Sequence, residues 1–172
     1  MQAVHFLVNT VFDLLVWVVL VRVWLQLARA DFYNPFSQFV VKVTNPPLIP
    51  LRKVIPKVGN LDVAAVLFAY VLLIAKIVVL FLIHKWNFSV QFLILAAGRG
   101  FLAAVFDVLF WILVIRAILS WVSQGYNPIE AVMHQLTEPL LAPIRRIIPP
   151  IGGLDLSILV LLIALQFLQK LI

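Results

Sequence analysis

The sequence predicts an all-α membrane protein with four transmembrane helices in two parallel tandem repeats, each with a short interfacial helix and a proline-kinked link. Three observations support this fold class. First, 65% of the 172 residues are hydrophobic and only 12% are charged, whereas soluble domains average about 45–50% apolar and about 25% charged residues. Second, the apolar residues are gathered into long runs. Third, a proline-rich segment between two such runs occurs twice.

Four apolar runs are candidates for crossing a bilayer. A helix needs about 20 apolar residues to cross roughly 30 Å of hydrocarbon, and we expect spans at positions 4–27, 63–83, 101–122 and 156–172. The last of these is the shortest. Residues 88–97 are also apolar but too few to cross, so this run is either an interfacial helix or an extension of the third span.

The proline-rich segment at residues 33–62 recurs 93 positions later, at residues 126–155, with thirteen of thirty positions identical. A repeated unit of this kind predicts two copies of span, link and span. We expect a first repeat at 1–83, a connector at 84–100 and a second repeat at 101–172. The turn and cap residues that the copies share are, in the first, Asn34, Pro35, Pro46, Pro50, Pro56, Gly59 and Asp62, and in the second, Asn127, Pro128, Pro139, Pro143, Pro149, Gly152 and Asp155.

The number of spans in each unit sets the symmetry of the protein. Two spans return the chain to its starting side, so the halves have the same orientation and form a parallel repeat. The two links carry seven Lys and Arg residues, and the opposite side carries three. The excess predicts that both links face the cytoplasm, with both termini outside.

Each link begins with an Asn-Pro pair, which is typical of a helix start. Apolar residues then recur at helical spacing and predict a short interfacial helix. The prolines after Thr44 are expected to end this helix, with a second short turn between Pro50 and Pro56. Gly59 permits a turn, and Asp62 and Asp155 stand where N-caps of the following spans are expected. The apolar stripe of the first copy is Phe36, Phe39, Val40 and Val43, and that of the second is Ile129, Val132, Met133 and Leu136.

Each link also carries a basic pair inside an apolar frame: Arg52-Lys53 in the first copy and Arg145-Arg146 in the second. Such a pair suits the headgroup boundary, because the side-chain stems lie along hydrocarbon while the cations reach phosphate. Two interpretations remain open. The link is either a rigid connector, or a basic surface that binds lipid or a protein partner.

Charged residues also lie within the predicted spans, where they are costly and often functional. Arg22 and Arg116 lie near span ends and are expected to snorkel to the headgroups. Asp13 and Arg22 lie on opposite faces of one helix, so Asp13 is expected to pair with another helix, for instance with Arg116 or Lys76. The alternatives are a structural ion pair, an ion or proton pathway, or a protonated, silent aspartate. The full set is Asp13, Arg22, Lys76, Asp107 and Arg116, and Gln169 occupies the repeat position of Lys76.

The composition and motifs exclude several functions. There are no cysteines, the three histidines share no ligand spacing, and no phosphate-binding glycine loop is present. We expect no catalytic residue, metal or cofactor. The net charge of +6 is spread through loops between apolar runs, which favours membrane lipids over nucleic acid as the partner. The tryptophans are expected to anchor the helices at the membrane interface.

The tandem pattern of Asp and Arg in a span, followed by N-P, T-x-P, P-x-R-[KR], I-P and G-x-L-D, resembles the YggT family of bacterial inner-membrane proteins. The one departure is that Pro47 and Lys57 become Leu140 and Pro150 in the second copy. The resemblance implies a multi-pass inner-membrane protein, and links it to osmotic-stress tolerance and ion uptake. It supplies no catalytic residues.

Two functions follow from these observations. The first is a non-enzymatic protein that organises lipids or other membrane proteins through its duplicated basic links. The alternative is a small ion channel or transporter that acts under osmotic stress, as a homo-oligomer if several copies are needed to form a pore.

Overall fold

The computed structural model describes residues 2–85, 89–122, 127–148 and 155–172, and these ranges are all-helical, as the sequence predicts. The repeat residues Pro149 and Gly152 lie outside them. The described residues form six helices: α1 (Gln2–Leu27), α2 (Pro35–Val54), α3 (Val63–His84), α4 (Val90–Val122), α5 (Pro128–Arg145) and α6 (Leu156–Lys170).

Three of these helices, α1, α3 and α4, are long and apolar enough to cross a membrane. Helix α6 is apolar but has only 15 residues. At about 1.5 Å per residue it rises about 22 Å, less than the roughly 30 Å of a hydrocarbon core. Length and composition therefore identify three spans where the sequence predicted four.

Helix α4 settles the position of the apolar run at 88–97. The helix begins at Val90 and continues without a break to Val122, so most of this run extends the third span. The extension packs against the protein: Leu93 and Ala97 are buried, and the Tyr70 hydroxyl of α3 donates a hydrogen bond to the Ile94 carbonyl at 2.8 Å. A continuous helix keeps its backbone groups paired, as an apolar environment requires.

The prediction that prolines end the link helices is wrong. Helix α2 continues through Pro46, Pro47 and Pro50, and α5 continues through Pro139 and Pro143. An interior proline removes a backbone hydrogen bond and costs about 3 kcal/mol, so packing must compensate.

The packing that compensates lies on the face opposite the prolines. In α2, Val40, Thr44 and Leu48 follow one another at intervals of four residues and are each at most 3% exposed, whereas Pro46 and Pro50 are exposed. Helix α5 repeats the arrangement: its buried residues are Val132, Met133, Leu136, Thr137 and Leu141, and both of its prolines are exposed. A single helix buries this face continuously, which a broken helix would not do.

Of the apolar residues predicted to form a stripe on each interfacial helix, some are buried in the protein and others are exposed on its surface. In α5, Val132, Met133 and Leu136 belong to the larger hydrophobic core. Helix α5 packs against α4 and accepts a hydrogen bond from Trp24 of α1. In α2, Val40 is buried, but Phe39 is 60% exposed and Val43 is 43% exposed. The two link helices are thus not equivalent in what they present outward.

The helix starts agree with the sequence. Asn34 and Asn127 each accept a hydrogen bond from the backbone N–H two residues later, at 3.0 and 2.9 Å. Asp62 and Asp155 cap α3 and α6 by accepting from backbone N–H groups at 3.3 and 3.1 Å. Gly59 has a φ of +59°, a left-handed conformation that glycine adopts at no steric cost.

Candidate functional site

The first candidate site is the elbow where the end of α1, the helix α2 and the start of α3 meet; we call it the first elbow. Arg22 enters it from α1 and is only 5% exposed. Its Nη1 donates to the hydroxyl of Thr44 and to the Val41 carbonyl at 3.2 Å. The Thr44 hydroxyl in turn donates to the Val40 carbonyl at 2.7 Å. The guanidinium therefore ties α1 to the middle of α2.

The other arginine of the first elbow, Arg52, ties α2 to the start of α3. Its Nη2 forms an ion pair with Asp62 Oδ2, and Asp62 is 1% exposed. Burial alone would raise the pKa of Asp62, but the hydrogen bond and charge of Arg52 outweigh it and hold that pKa below its usual value. Asp62 thus caps a helix and pairs with a cation at the same time.

The second elbow, formed by α4, α5 and α6, repeats these contacts. Arg116 is 8% exposed, and its Nη1 donates to the hydroxyl of Thr137. Arg145 donates to Asp155 Oδ2 through Nε at 2.9 Å and through Nη2 at 2.5 Å. Burial would raise the pKa of Asp155, but the hydrogen bonds from Arg145 and Ser157 lower it below its usual value.

The second elbow also contains Glu138, which joins its two arginines. Arg145 Nη1 donates to both Glu138 oxygens, at 3.0 and 2.9 Å. Arg116 Nη2 lies 3.6 Å from Glu138 Oε2. The carboxylate of Glu138 therefore bridges a guanidinium from α4 and one from the end of α5.

The second candidate site is a cavity of about 450 Å³ between α1, α3 and α4. Within it, Lys76 Nζ donates to Asp13 Oδ1 at 2.7 Å. Asp107 lines the same cavity, and its Oδ1 accepts from Gln169 Nε2 of α6 at 2.6 Å. The remaining wall is formed by Trp17, Leu73, Gly100, Ala103 and Ala104.

The structure places the predicted intramembrane charges in two different surroundings. Asp13 pairs with Lys76, one of the two partners expected, and Asp107 faces the same cavity. The expectation that Arg22 and Arg116 snorkel is wrong. Both are buried, because threonine hydroxyls, helix carbonyls and carboxylates inside the protein supply the acceptors that headgroups would otherwise provide.

The basic pairs divide in the same way in both links. Arg52 and Arg145, the first members, point inward to carboxylates. Lys53 and Arg146, the second members, are exposed. The first members are therefore paired inside the protein, and binding of lipid or a partner by either member remains a prediction.

Sequence reasoning missed the contacts between the halves. Trp24, expected to be an interfacial anchor, donates from Nε1 to the Leu136 carbonyl of α5 at 2.9 Å. Asn34 donates from Nδ2 to the Pro128 carbonyl at 2.6 Å. It also missed Thr44 and Thr137 as arginine acceptors, although both stand in the repeated motif. That repetition was the one signal that could have found them.

Comparison with known proteins places the chain among bacterial relatives. A family model described as CCB3/YggT matches residues 1–83 and 95–172. The chain is 62% identical over 170 residues to an uncharacterised Vibrio alginolyticus protein from the proC 3′ region, covering 97% of this chain and 91% of the relative. It is 49% identical over 172 residues to the uncharacterised protein YggT of Escherichia coli K12, covering 98% and 88%. It is 39% identical over 175 residues to Pseudomonas aeruginosa PA0392, covering 99% and 88%. No solved structure matches the chain.

Proposed function

The chain belongs to the CCB3/YggT family, and from this premise we propose that it is a multi-pass protein of the bacterial inner membrane that organises anionic lipids or protein partners without catalysing a reaction. The observation that carries the proposal is the outer face of α2. This face combines exposed apolar side chains with exposed lysines, while the arginine beside them is paired internally.

The topology proposed for this function has four spans. The short helix α6 crosses with α1, α3 and α4, and the two halves form parallel repeats with both links in the cytoplasm. Recurrence of the Arg–Thr and Arg–Asp contacts at equivalent positions of the two elbows supports this arrangement. So does the match of the family in two successive segments.

The outer face of α2 has the composition of a surface that meets lipid headgroups. Phe39 is 60% exposed and Ile49 is 51% exposed, and Lys42 and Lys53 are exposed beside them. Apolar side chains reach the acyl boundary while lysines attract anionic headgroups. Because the opposite face of α2 is buried in the protein, the helix is held in place to present this surface.

The test compares retained lipid between variants. Replacing Lys42 and Lys53 with Gln should lower the apparent affinity for anionic phospholipid by about 30-fold, since each basic residue near an anionic surface contributes about 1 kcal/mol. Less anionic phospholipid should then co-purify with the protein. Lys85 and Lys170 are also exposed, and lie at the ends of α3 and α6 on the side opposite the links in the proposed topology. The double variant Lys85→Gln/Lys170→Gln is therefore the matched control.

Mass spectrometry of the co-purified lipid, with cross-linking in intact membranes to identify protein partners, provides the readout. Equal lipid retention and unchanged cross-links in the two double variants would count against the organising role.

A second candidate function, ion or proton passage, is favoured by the charged cavity. Asp13, Lys76 and Asp107 line one cavity inside apolar helices, where charged residues commonly mark ion or proton routes. Four helices enclose little space, so passage would require several copies. The link to osmotic stress comes from the family resemblance and belongs to this candidate.

Flux in liposomes tests the second candidate. The purified protein should conduct monovalent cations or protons, and Asp13→Asn and Asp107→Asn should each reduce the rate at least about tenfold. The exposed α1 residue Gln2, changed to Asn, is a control that should leave the rate unchanged. A wild-type protein that conducts neither protons nor cations would remove this candidate.

A further inference from the structure

The two elbows differ in the balance of their charges. The first elbow holds the guanidiniums of Arg22 and Arg52 against one carboxylate, that of Asp62. The second elbow holds two guanidiniums against two carboxylates, those of Asp155 and Glu138. Charges removed from water are normally balanced by a partner. One positive charge in the first elbow has no protein carboxylate to balance it among the described residues.

The missing carboxylate corresponds to one position of the repeat. Glu138 lies 93 residues after Asn45, at the offset that relates the two links. Glu138 bridges its two arginines, whereas Asn45 carries a neutral amide. Arg22 contacts Thr44 and Arg52 contacts Asp62 as Arg116 contacts Thr137 and Arg145 contacts Asp155. Because Arg116 and Arg145 both reach Glu138, the equivalent arginines of the first elbow are expected to share one anion.

A specific donor in the first elbow is also unsatisfied. The Nε of Arg52 is fully buried and has no hydrogen-bond partner in the part of the chain that the structure describes. The equivalent atom, Arg145 Nε, donates to Asp155 at 2.9 Å. A buried charged donor without an acceptor is costly, so Asp62 satisfies Arg52 less completely than Asp155 satisfies Arg145. Glu138 accepts from Arg145 Nη1, and an anion in the equivalent place would therefore meet Nη1 of Arg52. The Arg52 side chain is 24% exposed, so the site opens to the outside.

We propose that the first elbow binds an anionic phosphate group, which bridges Arg22 and Arg52 in the place that the Glu138 carboxylate fills in the second elbow. Several phosphate oxygens can accept the N–H groups of two guanidiniums at once. The phosphate can belong to a phospholipid headgroup or be free in solution. This site goes beyond the lipid surface proposed for α2, because it uses residues inside the elbow and does not depend on Lys42 or Lys53.

The test uses thermal unfolding of the full chain in a non-ionic detergent. Two ligands are titrated separately: inorganic phosphate against chloride at equal ionic strength, and short-chain phosphatidylglycerol against phosphatidylcholine. The wild-type protein should be stabilised by at least one of the two phosphate compounds. Stabilisation by both indicates a site that accepts free phosphate, and stabilisation by phosphatidylglycerol alone indicates a headgroup site.

The deciding variant is Asn45→Glu, which supplies the carboxylate from the protein. Without ligand it should unfold at a higher temperature than wild type, and its apparent affinity for the phosphate compound should fall by at least about tenfold. Asn45→Gln keeps the amide and should bind as wild type does. Both Asn45 variants keep Lys42 and Lys53, so a difference between them separates this site from the outer surface of α2.

A reciprocal variant tests the same idea in the other half. Glu138→Gln should lower the unfolding temperature without ligand. It should also raise the number of bound phosphates from about one to about two per chain, which equilibrium binding of labelled phosphate or lipid measures. If Glu138→Gln does not fold, the comparison of Asn45→Glu with Asn45→Gln decides. No response in wild type, or equal responses in the two Asn45 variants, would overturn the proposal.

Discussion

Lys76 of α3 and Gln169 of α6 occupy the same position of the two halves, and each donates a hydrogen bond to an aspartate of its own half. Lys76 Nζ lies 2.7 Å from Asp13 Oδ1, and Gln169 Nε2 lies 2.6 Å from Asp107 Oδ1. The geometry is shared, but the first pair is an ion pair and the second has a neutral donor. This difference makes the two halves chemically distinct at the cavity.

Replacing Lys76 with Gln should destabilise the protein, because Asp13 then lacks its counter-charge within an apolar helix. We expect a loss of about 2–3 kcal/mol in the free energy of unfolding, the range for an uncompensated charge in a membrane helix. The double variant Asp13→Asn/Lys76→Gln removes both charges and should recover most of this loss. Unfolding in mixed detergent micelles measures it, and a single variant as stable as wild type would contradict the ion pair.

Replacing Thr44 or Thr137 with Val should destabilise the elbows, because each hydroxyl accepts a hydrogen bond from a buried arginine. Leaving a buried donor unsatisfied costs about 1–3 kcal/mol. Thr10→Val is the control: its hydroxyl donates only to the Phe6 carbonyl of its own helix at 2.8 Å. Thermal unfolding of the three variants should separate them, and equal effects would show that Arg22 and Arg116 do not depend on these hydroxyls.

Acidification should weaken both elbows. The pKa values of Asp62 and Asp155 lie below the usual value, which is about 3.9 for aspartate. A lowered folded-state pKa contributes stability above the unfolded-state value, and this contribution is lost as the pH falls toward the folded-state value. Unfolding temperatures should therefore drop below about pH 4.

The variant Asp62→Asn provides the control for that pH dependence. It should be less stable than wild type at neutral pH and should lose less stability on acidification. A pH profile that is identical in wild type and variant would mean that other carboxylates are responsible.

The proposed parallel topology can be tested by cysteine labelling, because the chain has no native cysteine. Lys53→Cys and Arg146→Cys lie on the two links and should react with an impermeant thiol reagent from the same, cytoplasmic side. Lys85→Cys and Lys170→Cys should react from the opposite side. Labelling of positions 53 and 146 from different sides would rule out parallel repeats. Labelling of positions 146 and 170 from the same side would show that α6 does not cross.

The contact between the halves through Trp24 should contribute modestly to stability. Trp24→Phe keeps an aromatic ring but removes the hydrogen bond to the Leu136 carbonyl, with an expected loss of about 1 kcal/mol. Trp111→Phe changes a tryptophan that is 48% exposed and should have a smaller effect. Chemical unfolding of both variants checks the difference, and a reversed order would contradict the role of Trp24.

The helix starts and the membrane-like composition could be predicted because they depend on residues adjacent in the chain. Asn34 and Asp62 cap helices through backbone groups two or three positions away. The prolines were misjudged for the opposite reason. Their local cost favours a break, but Thr44 and Leu48 are buried on a helix that packs against α1, α3 and α5.

The candidate sites show the same contrast between features set by adjacent residues and features set by contacts in the folded chain. The duplicated motif singled out Arg52 and Arg145 but not their pairing with Asp62 and Asp155. Lys76 was one of two partners predicted for Asp13. Only the folded chain shows that Arg52 faces Asp62 while Lys53 is exposed, because two neighbouring side chains of a helix point in different directions. The role of Glu138 likewise depends on Arg116 reaching it from another helix.

Residues close together in the chain were enough to predict that it is helical and apolar enough for a membrane. They also predicted where α2, α3, α5 and α6 begin, because hydropathy and capping act over a few residues. The tertiary structure alone decided that the prolines leave α2 and α5 unbroken and that Arg22 and Arg116 turn inward. It also decided which charged side chains form ion pairs with each other. Those outcomes depend on packing and electrostatics between segments distant in the chain, where the cost of a local break or a buried charge is offset by partners that no short stretch of sequence contains.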